Sequence, residues 1–346
     1  MMIIGNLEKL EKNLTGKVDM NTYDNKNLYF TDLQSFADTL RTRESRTERL
    51  LVNTREIFFQ PSNLEAGKVS LRIKNKIYSV ADSAFVSIRG RIELNGAGLL
   101  KLPVSLLVQV LNDRIKDLNN VRVIIIEDKV RAILTTQYKV IPCIDIIQKT
   151  LQGITEKLGT YDFKCANVSY DILKMLLLFS EKKKVIQEIY NITNETYVPG
   201  LYLATSDTGF SANKVIPLWY TPNGILPLSY ESINMQHRGK NSSLENFVED
   251  LPQLFVKFRN SMKLIKKQLT SIVDDPEKRV ETLGKKFKLP QKDIRRLNEK
   301  LDLLLLTQHQ INSYQITQLF IELAREEENE SKKEFLEIIA GRVLYS

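Results

Sequence analysis

The sequence predicts an α+β protein: a body with a mixed or antiparallel sheet and covering helices, followed by an all-helical C-terminal region. Three observations carry this. Residues 68–74 (Lys-Val-Ser-Leu-Arg-Ile-Lys) alternate polar and apolar at period two, the pattern of a half-buried strand. Residues 121–126 and 130–138 are apolar strand-like runs on either side of Glu127-Asp128-Lys129, which reads as a hairpin. From residue 242 the period changes: Leu244, Phe247, Val248, Leu251, Leu254/Phe255, Phe258, Met262, Ile265, Leu269 and Ile272 step by three or four, the spacing of one helix face. The chain thus divides into a polar lead-in over residues 1–45, an α+β body over 46–241 and a helical region over 242–346.

Taken in order, Thr31 is positioned to cap a short helix carrying Leu33, Phe36, Ala37 and Leu40, and residues 41–49 read as a charged connector. A short apolar strand follows at 56–60. Asp82 or Ser83 starts a helix reaching at most Ile92, and Pro103 opens another to Leu118 with Leu106, Leu107, Val110, Leu111 and Ile115 on one stripe. A helical run over 144–151, containing Asp145, is expected to cover the hairpin. Strands are expected at 162–168, 197–205 and 214–219, with turns at 206–209 and 222–224. In the helical region, Pro252 bends the first helix or restarts it with Asp250 as cap. Asp275-Pro276 is a cap followed by a favoured first helical residue, Pro290 separates that helix from one over 291–306, and two more fit 311–327 and, capped by Ser331, 332–344.

Composition narrows the function. With 42% hydrophobic and 27% charged residues the chain can bury a core and is not a disordered tail. Two cysteines, Cys143 and Cys165, and two histidines, His237 and His309, stand far apart, so neither a four-ligand zinc site nor a disulfide framework is expected. Both thiols lie in apolar neighbourhoods and read as buried and inert. No run has the length of a signal peptide core or a membrane span, which places the expected site of action in a cytoplasm, without a membrane partner. Gly96-Ala97-Gly98-Leu99-Leu100-Lys101 starts like a phosphate loop but lacks the Gly-Lys-Ser/Thr ending. Gly-x-Ser-x-Gly and His-Glu-x-x-His are also absent. No metal or cofactor is expected, and an enzyme is unsupported rather than excluded.

The net charge of +8, from 50 Lys+Arg against 42 Asp+Glu, is unevenly spread. Residues 255–300 hold fourteen Lys/Arg against six Asp/Glu, while residues 301–346 hold four against eight. An excess equal to that of the whole chain therefore sits on two or three helices. Lys257, Lys263, Lys266 and Lys267 are the polar partners of an apolar stripe, and Lys285, Lys286, Lys292, Arg295 and Arg296 surround the Pro290 turn. Such residues neutralise nucleic-acid phosphates and release counterions. They also fit a solvated helical face balanced by the acidic end of the same tail. The stretch from Leu283 to Leu297 has a small residue, a turn and a branched apolar residue at helix-turn-helix offsets, with Lys288 where glycine is favoured. It would present Gln291, Lys292 and Arg295 to a major groove, and ordinary helix-pair packing fits the same pattern. Tyr161, Tyr170, Tyr190, Tyr197, Tyr202, Trp219, Tyr220 and Tyr230 alternate with apolar residues and read as sheet and core, not as a base-stacking platform. His237, in a polar loop with no nucleophile or metal partner near it in sequence, reads as a structural hydrogen-bonding residue.

Three short segments carry a resemblance. Arg131 to Tyr138, then Ser206-Asp207-Thr208-Gly209-Phe210-Ser211 with Pro222-Asn223-Gly224, then Gln236-His237-Arg238-Gly239-Lys240-Asn241, resemble in order and approximate spacing the phage/plasmid-like proteins grouped as domain of unknown function 932. The likeness spans roughly residues 50–260. Relatives commonly read Cys-Asn-Gly where this chain has Pro222-Asn223-Gly224, which argues against an essential cysteine there. The resemblance implies a mobile-element origin, action in a host bacterial cytoplasm and Arg131, Tyr138, Asp207, Gly209, Asn223, His237 and Arg238 as family positions of unknown role. It implies no activity.

The leading expectation is a phage-encoded, non-enzymatic nucleic-acid-binding protein, a single-strand binding, annealing or recombination accessory factor, assembled as a homo-oligomer. The alternatives are a host-takeover or anti-defence protein that binds a bacterial protein, and a virion or scaffold component. An enzyme would centre on Asp207, His237 and Arg238.

Overall fold

The computed structural model describes residues 28–63, 67–89, 92, 102–169, 172–209, 212–235 and 243–346. The architecture is α+β, with a helical C-terminal region behind two sheets.

The first sheet comprises β2 (Thr47–Asn53), β3 (Ile57–Pro61), β4 (Val69–Ile73), β5 (Lys76–Val80), β6 (Asn120–Ile126) and β7 (Lys129–Thr135), in the spatial order β2-β6-β7-β5-β4-β3. All pairs are antiparallel except β5 with β7. The expected hairpin is β6–β7. Its turn places Glu127 and Asp128 at φ 51° and 59°, the two consecutive left-handed residues that match the twist of paired strands. Between β5 and β6 lie α2 (Asp82–Arg89) and α3 (Val104–Ile115). They cover one face of the sheet, where Phe85, Ile88, Leu111 and Ile115 pack on Val121, Val123 and Ile125. The opposite face presents Ile124, Ile126, Ala132 and Leu134, with Tyr138 against them.

The second sheet is antiparallel: β1 (Leu28–Phe30), β8 (Asp162–Val168), β9 (Leu173–Leu178), β10 (Val198–Thr205), β11 (Asn213–Thr221) and β12 (Gly224–Pro227) in spatial order, with β13 (Ile233–Met235) also on β11. Residues 28–45 are part of this body rather than a lead-in. β1 extends the sheet, and α1 (Leu33–Ser45) buries Phe36 and Leu40 in its core. Asp32, not Thr31, caps α1, accepting from the Ser35 N–H at 2.7 Å. The connector read over residues 41–49 is the end of α1 followed by β2. The helix expected over 144–151 is longer, α4 (Cys143–Lys157), and covers the second sheet with α1 and α6 (Leu244–Glu249) instead of the hairpin. α5 (Lys183–Thr193) joins β9 to β10 and stops at Asn194 in the left-handed region, a common helix terminator.

The helical region consists of α7 (Gln253–Thr270), α8 (Pro276–Lys286), α9 (Gln291–Leu305), α10 (Ser313–Arg325) and α11 (Glu330–Val343). Pro252 does restart the helix, but Asp250 caps nothing there; it ends α6 and accepts from the Gln253 side chain. Asp275 caps α8 as expected, accepting from the Lys278 N–H at 2.9 Å. Asn329, not Ser331, caps α11. These helices share one core with the end of the second sheet. Trp219, fully buried, packs edge-on to Phe258 and donates from its indole N–H to Ser261 Oγ at 2.9 Å. Tyr314 donates to the Tyr197 hydroxyl at 2.8 Å. Gly224, at φ 141°, backs onto α10 so closely that a Cβ there would lie 2.9 Å from Ile321 Cγ2.

Candidate nucleic-acid interface

Two places collect the residues that the sequence singles out. The first is a buried junction between the sheets. The β10–β11 connection carries Thr205, Ser206, Asp207 and Thr208, all buried although polar. Asp207 accepts from Arg43 Nη2 of α1 at 2.8 Å and lies 3.5 Å from Arg49 Nη2 of β2. Arg49 also grips both carboxylate oxygens of Glu44, at 2.6 and 2.8 Å. Burial alone would lower the Arg49 pKa, but the Glu44 and Asp207 carboxylates outweigh it and hold it above its ordinary value. Thr205 donates to Asn213, and the Ser206 and Thr208 hydroxyls are 3.1 Å apart. Gly209, at φ 84°, seats the end of the loop on the first sheet: a Cβ would stand 3.1 Å from Leu134 Cδ2 and 3.6 Å from the Tyr138 ring. The Tyr138 hydroxyl reaches the Ser206 carbonyl at 3.4 Å.

The structure therefore brings Tyr138, Asp207 and Gly209 together. Arg131 is buried on β7, where its carbonyl accepts from Ser83 Oγ at 3.1 Å. Asn223 is elsewhere, in the β11–β12 turn beside α10, with its N–H donating to Thr221 Oγ1 at 3.2 Å. His237 and Arg238 lie outside the described residues, as does the glycine-rich segment 96–101. Cys143 begins α4 against the Asp207 backbone and the Thr205 hydroxyl. Burial first, and the Asp207 carboxylate second, push its thiol up to about 12, so it stays protonated near neutrality. Cys165 is half-buried on β8, more open than expected. Among the described residues, a carboxylate held by two guanidiniums beside a protonated thiol forms a clamp between the sheets. Among the described residues no group of three His, Cys, Asp or Glu is placed to hold a metal ion.

The second place is the basic helices. Lys263, Lys266 and Lys267 are exposed on α7, Lys285 and Lys286 at the end of α8, and Lys292 and Arg295 in the first half of α9. Among the described residues Lys263, Lys266, Lys267, Lys286 and Lys292 have no carboxylate in ion-pair reach. Lys285 meets Glu281 at 3.0 Å, and Arg295 meets Glu299 at 3.9 Å, both on exposed helix surface where such pairs are worth only tenths of a kcal/mol, about 0.3–0.5. Two candidates are committed inward. Lys257 is half-buried and donates to the Glu231 carbonyl at 2.7 Å. Arg296 faces Asp293, Glu326 and Glu327 at 3.6–3.7 Å. The acidic end of the chain thus does neutralise part of the basic helices: Arg296 and Lys300 take its carboxylates. The remaining basic residues stay on the surface. Of the aromatic set, Tyr197 and Trp219 are core, whereas Tyr230 and Tyr190 are exposed.

Comparisons of the chain with protein-family models, with curated proteins and with solved structures find no match. Sequence reasoning missed Arg43, Glu44 and Arg49. Their only signal was a dense charge run that reads as a solvated linker. No helix among the described residues is long and apolar enough to cross a membrane.

Proposed function

We propose that this protein binds nucleic acid through the exposed basic side chains of α7, α8 and α9, as a non-enzymatic factor. The observation that carries this reading is the split within the basic set. Lys257, Arg296 and Lys300 are tied to carboxylates or carbonyls of the fold, while Lys263, Lys266, Lys267, Lys286 and Lys292 are exposed with no carboxylate among the described residues in ion-pair reach, Lys286 donating to the neutral Ser346 hydroxyl at 3.2 Å. A surface that neutralised itself would have paired them too. Phosphates supply the missing charge, and release of their counterions drives binding.

The α+β body then serves as the platform that fixes these helices, through the Trp219–Ser261 and Tyr197–Tyr314 contacts. A phage origin, which the motif resemblance implies, belongs to the same proposal. Fluorescence anisotropy with labelled oligonucleotides tests it. Binding at low salt should be micromolar or tighter, and log K should fall linearly with log salt by ~0.9 per phosphate contacted on duplex. Replacing Lys263, Lys266 and Lys267 by Glu together should weaken it severalfold. No change in anisotropy at low salt refutes the reading.

A further inference from the structure

The offsets around Pro290 are realised as a built turn. Four residues, 287–290, separate α8 from α9. α8 ends with the Leu289 N–H donating to the Gly284 carbonyl at 2.9 Å and the Lys288 N–H to that of Lys285 at 3.1 Å, the paired bonds of a left-handed helix stop. Lys288 supplies the left-handed residue at φ 56°, the place where glycine is usual. Gly284 is where the two helices touch: a Cβ on it would be 2.7 Å from Ile294 Cγ1 and 2.9 Å from Ile294 Cδ1. Val280, Leu283, Leu289, Ile294 and Leu297 fill the core behind this contact. A small residue, a left-handed residue four later and a branched apolar residue ten later, with two helices meeting at short range across a four-residue turn, form a helix-turn-helix.

Such a unit reads duplex DNA with the N-terminal half of its second helix. Here that half exposes Gln291, Lys292 and Arg295. Gln matches adenine N6/N7, and Lys or Arg matches guanine O6/N7. Lys285, Lys286 and Lys288 are exposed at the turn, beside it, where phosphates would run. On its inner side α9 is anchored by Asp293, fully buried, which accepts from Lys332 of α11 at 2.8 Å. The face is thus rigid, basic and unoccupied by any other described element.

We infer that α8 and α9 bind duplex DNA, with α9 seated in the major groove and Gln291, Lys292 and Arg295 at the base edges. The inference rests on the nucleic-acid reading above and sharpens it to a duplex ligand with a sequence preference. It predicts that the full chain binds a duplex more tightly than either of its strands at equal salt, and that selection from a random-sequence duplex library enriches a short motif.

The test compares wild type, the double variant Gln291→Ala/Arg295→Ala and the triple variant Lys263→Glu/Lys266→Glu/Lys267→Glu on the enriched duplex, a scrambled duplex and the single strand. Unchanged Trp219 emission and melting temperature establish that each variant is folded. The double variant should lose on the order of tenfold or more on the enriched duplex, with little change on the scrambled one. Equal binding to duplex and single strand, no enriched motif, or a double variant indistinguishable from wild type each overturn the groove-reading role. In those cases salt-dependent binding lost in the α7 triple variant still upholds the broader reading. Absence of binding to every probe at low salt sinks both.

Discussion

Asp207 and Arg43 stand 164 residues apart in the chain and 2.8 Å apart in the fold, with only 2% and 11% of their side chains exposed. With Arg49 on the carboxylate's other oxygen, this contact holds the loop of one sheet against a strand of the other. Removing one partner of a buried charge cluster leaves the others uncompensated. Asp207→Ala should therefore destabilise the protein by about 3–5 kcal/mol, measured by urea denaturation. An Arg43→Ala/Asp207→Ala double variant should be less destabilised than the sum of the single changes. A loss under about 1 kcal/mol for Asp207→Ala would show that the contact contributes little.

The same loop shields Cys143. A thiol pushed up to about 12 has on the order of one thiolate in ten thousand at pH 8, so folded protein should not release chromophore from a thiol reagent at this position. Mass spectrometry after a timed alkylation should find Cys165 modified first and Cys143 only as the protein unfolds. Rapid native modification of Cys143 would mean that the junction opens.

The strands were legible where burial and period agree. The run from Val121 through Ile126 and its partner need no context, because their side chains fill both faces of the first sheet. β2 was hidden because only Leu50 and Val52 of it face the core, while Arg49 on its other face reads as solvent-facing until Asp207 and Glu44 are known to meet it. No local pattern announces a pairing across 164 residues. At the turn, Lys288 disguises a left-handed position that glycine would have advertised, and Gly284 inside a helix reads as a weakness until Ile294 is seen against it.

That turn makes opposite predictions for its two special residues. Gly284→Ala puts a methyl into the Ile294 side chain, and overpacking there should cost about 1–3 kcal/mol. Lys288→Gly relieves a left-handed conformation that costs an L-residue about 1–2 kcal/mol, offset in part by the greater freedom of glycine in the unfolded chain. It should leave stability unchanged or raise it slightly. Chemical denaturation of both variants decides the matter; a neutral Gly284→Ala would mean that the helices do not meet as closely as described.

Trp219 is the chain's one tryptophan, and it sits where the second sheet meets α7. Its fluorescence reports on that seam. Because Phe258, Tyr314 and the α8–α10 core residues share a cluster with it, the helical region and the sheet should unfold together. Helical circular dichroism and Trp219 emission should follow one transition in urea. Early loss of helix with Trp219 emission still native would show that residues 253–346 come apart on their own.

Lys332 carries the pH dependence of the helical region. Its ammonium lies 2.8 Å from Asp293 and 2.9 Å from Glu327, and these bonds, Asp293 first, raise its pKa. The Lys332 bond in turn holds the Glu327 carboxyl below its ordinary value. Lys332→Ala should cost about 1.5–3 kcal/mol near neutrality, the range for a hydrogen bond to a charged group. The raised ammonium stabilises fully below its unfolded pKa of about 10.4, and that contribution fades as pH climbs through the folded value. The depressed carboxyl stabilises above its unfolded pKa of about 4.3 and stops doing so as pH falls through the folded value. The stability difference between wild type and Lys332→Ala should accordingly be flat from about pH 5 to 10 and shrink on both sides. A difference that grew toward acid pH would contradict the ion-pair assignment, since protonating Glu327 weakens an interaction with Lys332 that the alanine variant already lacks.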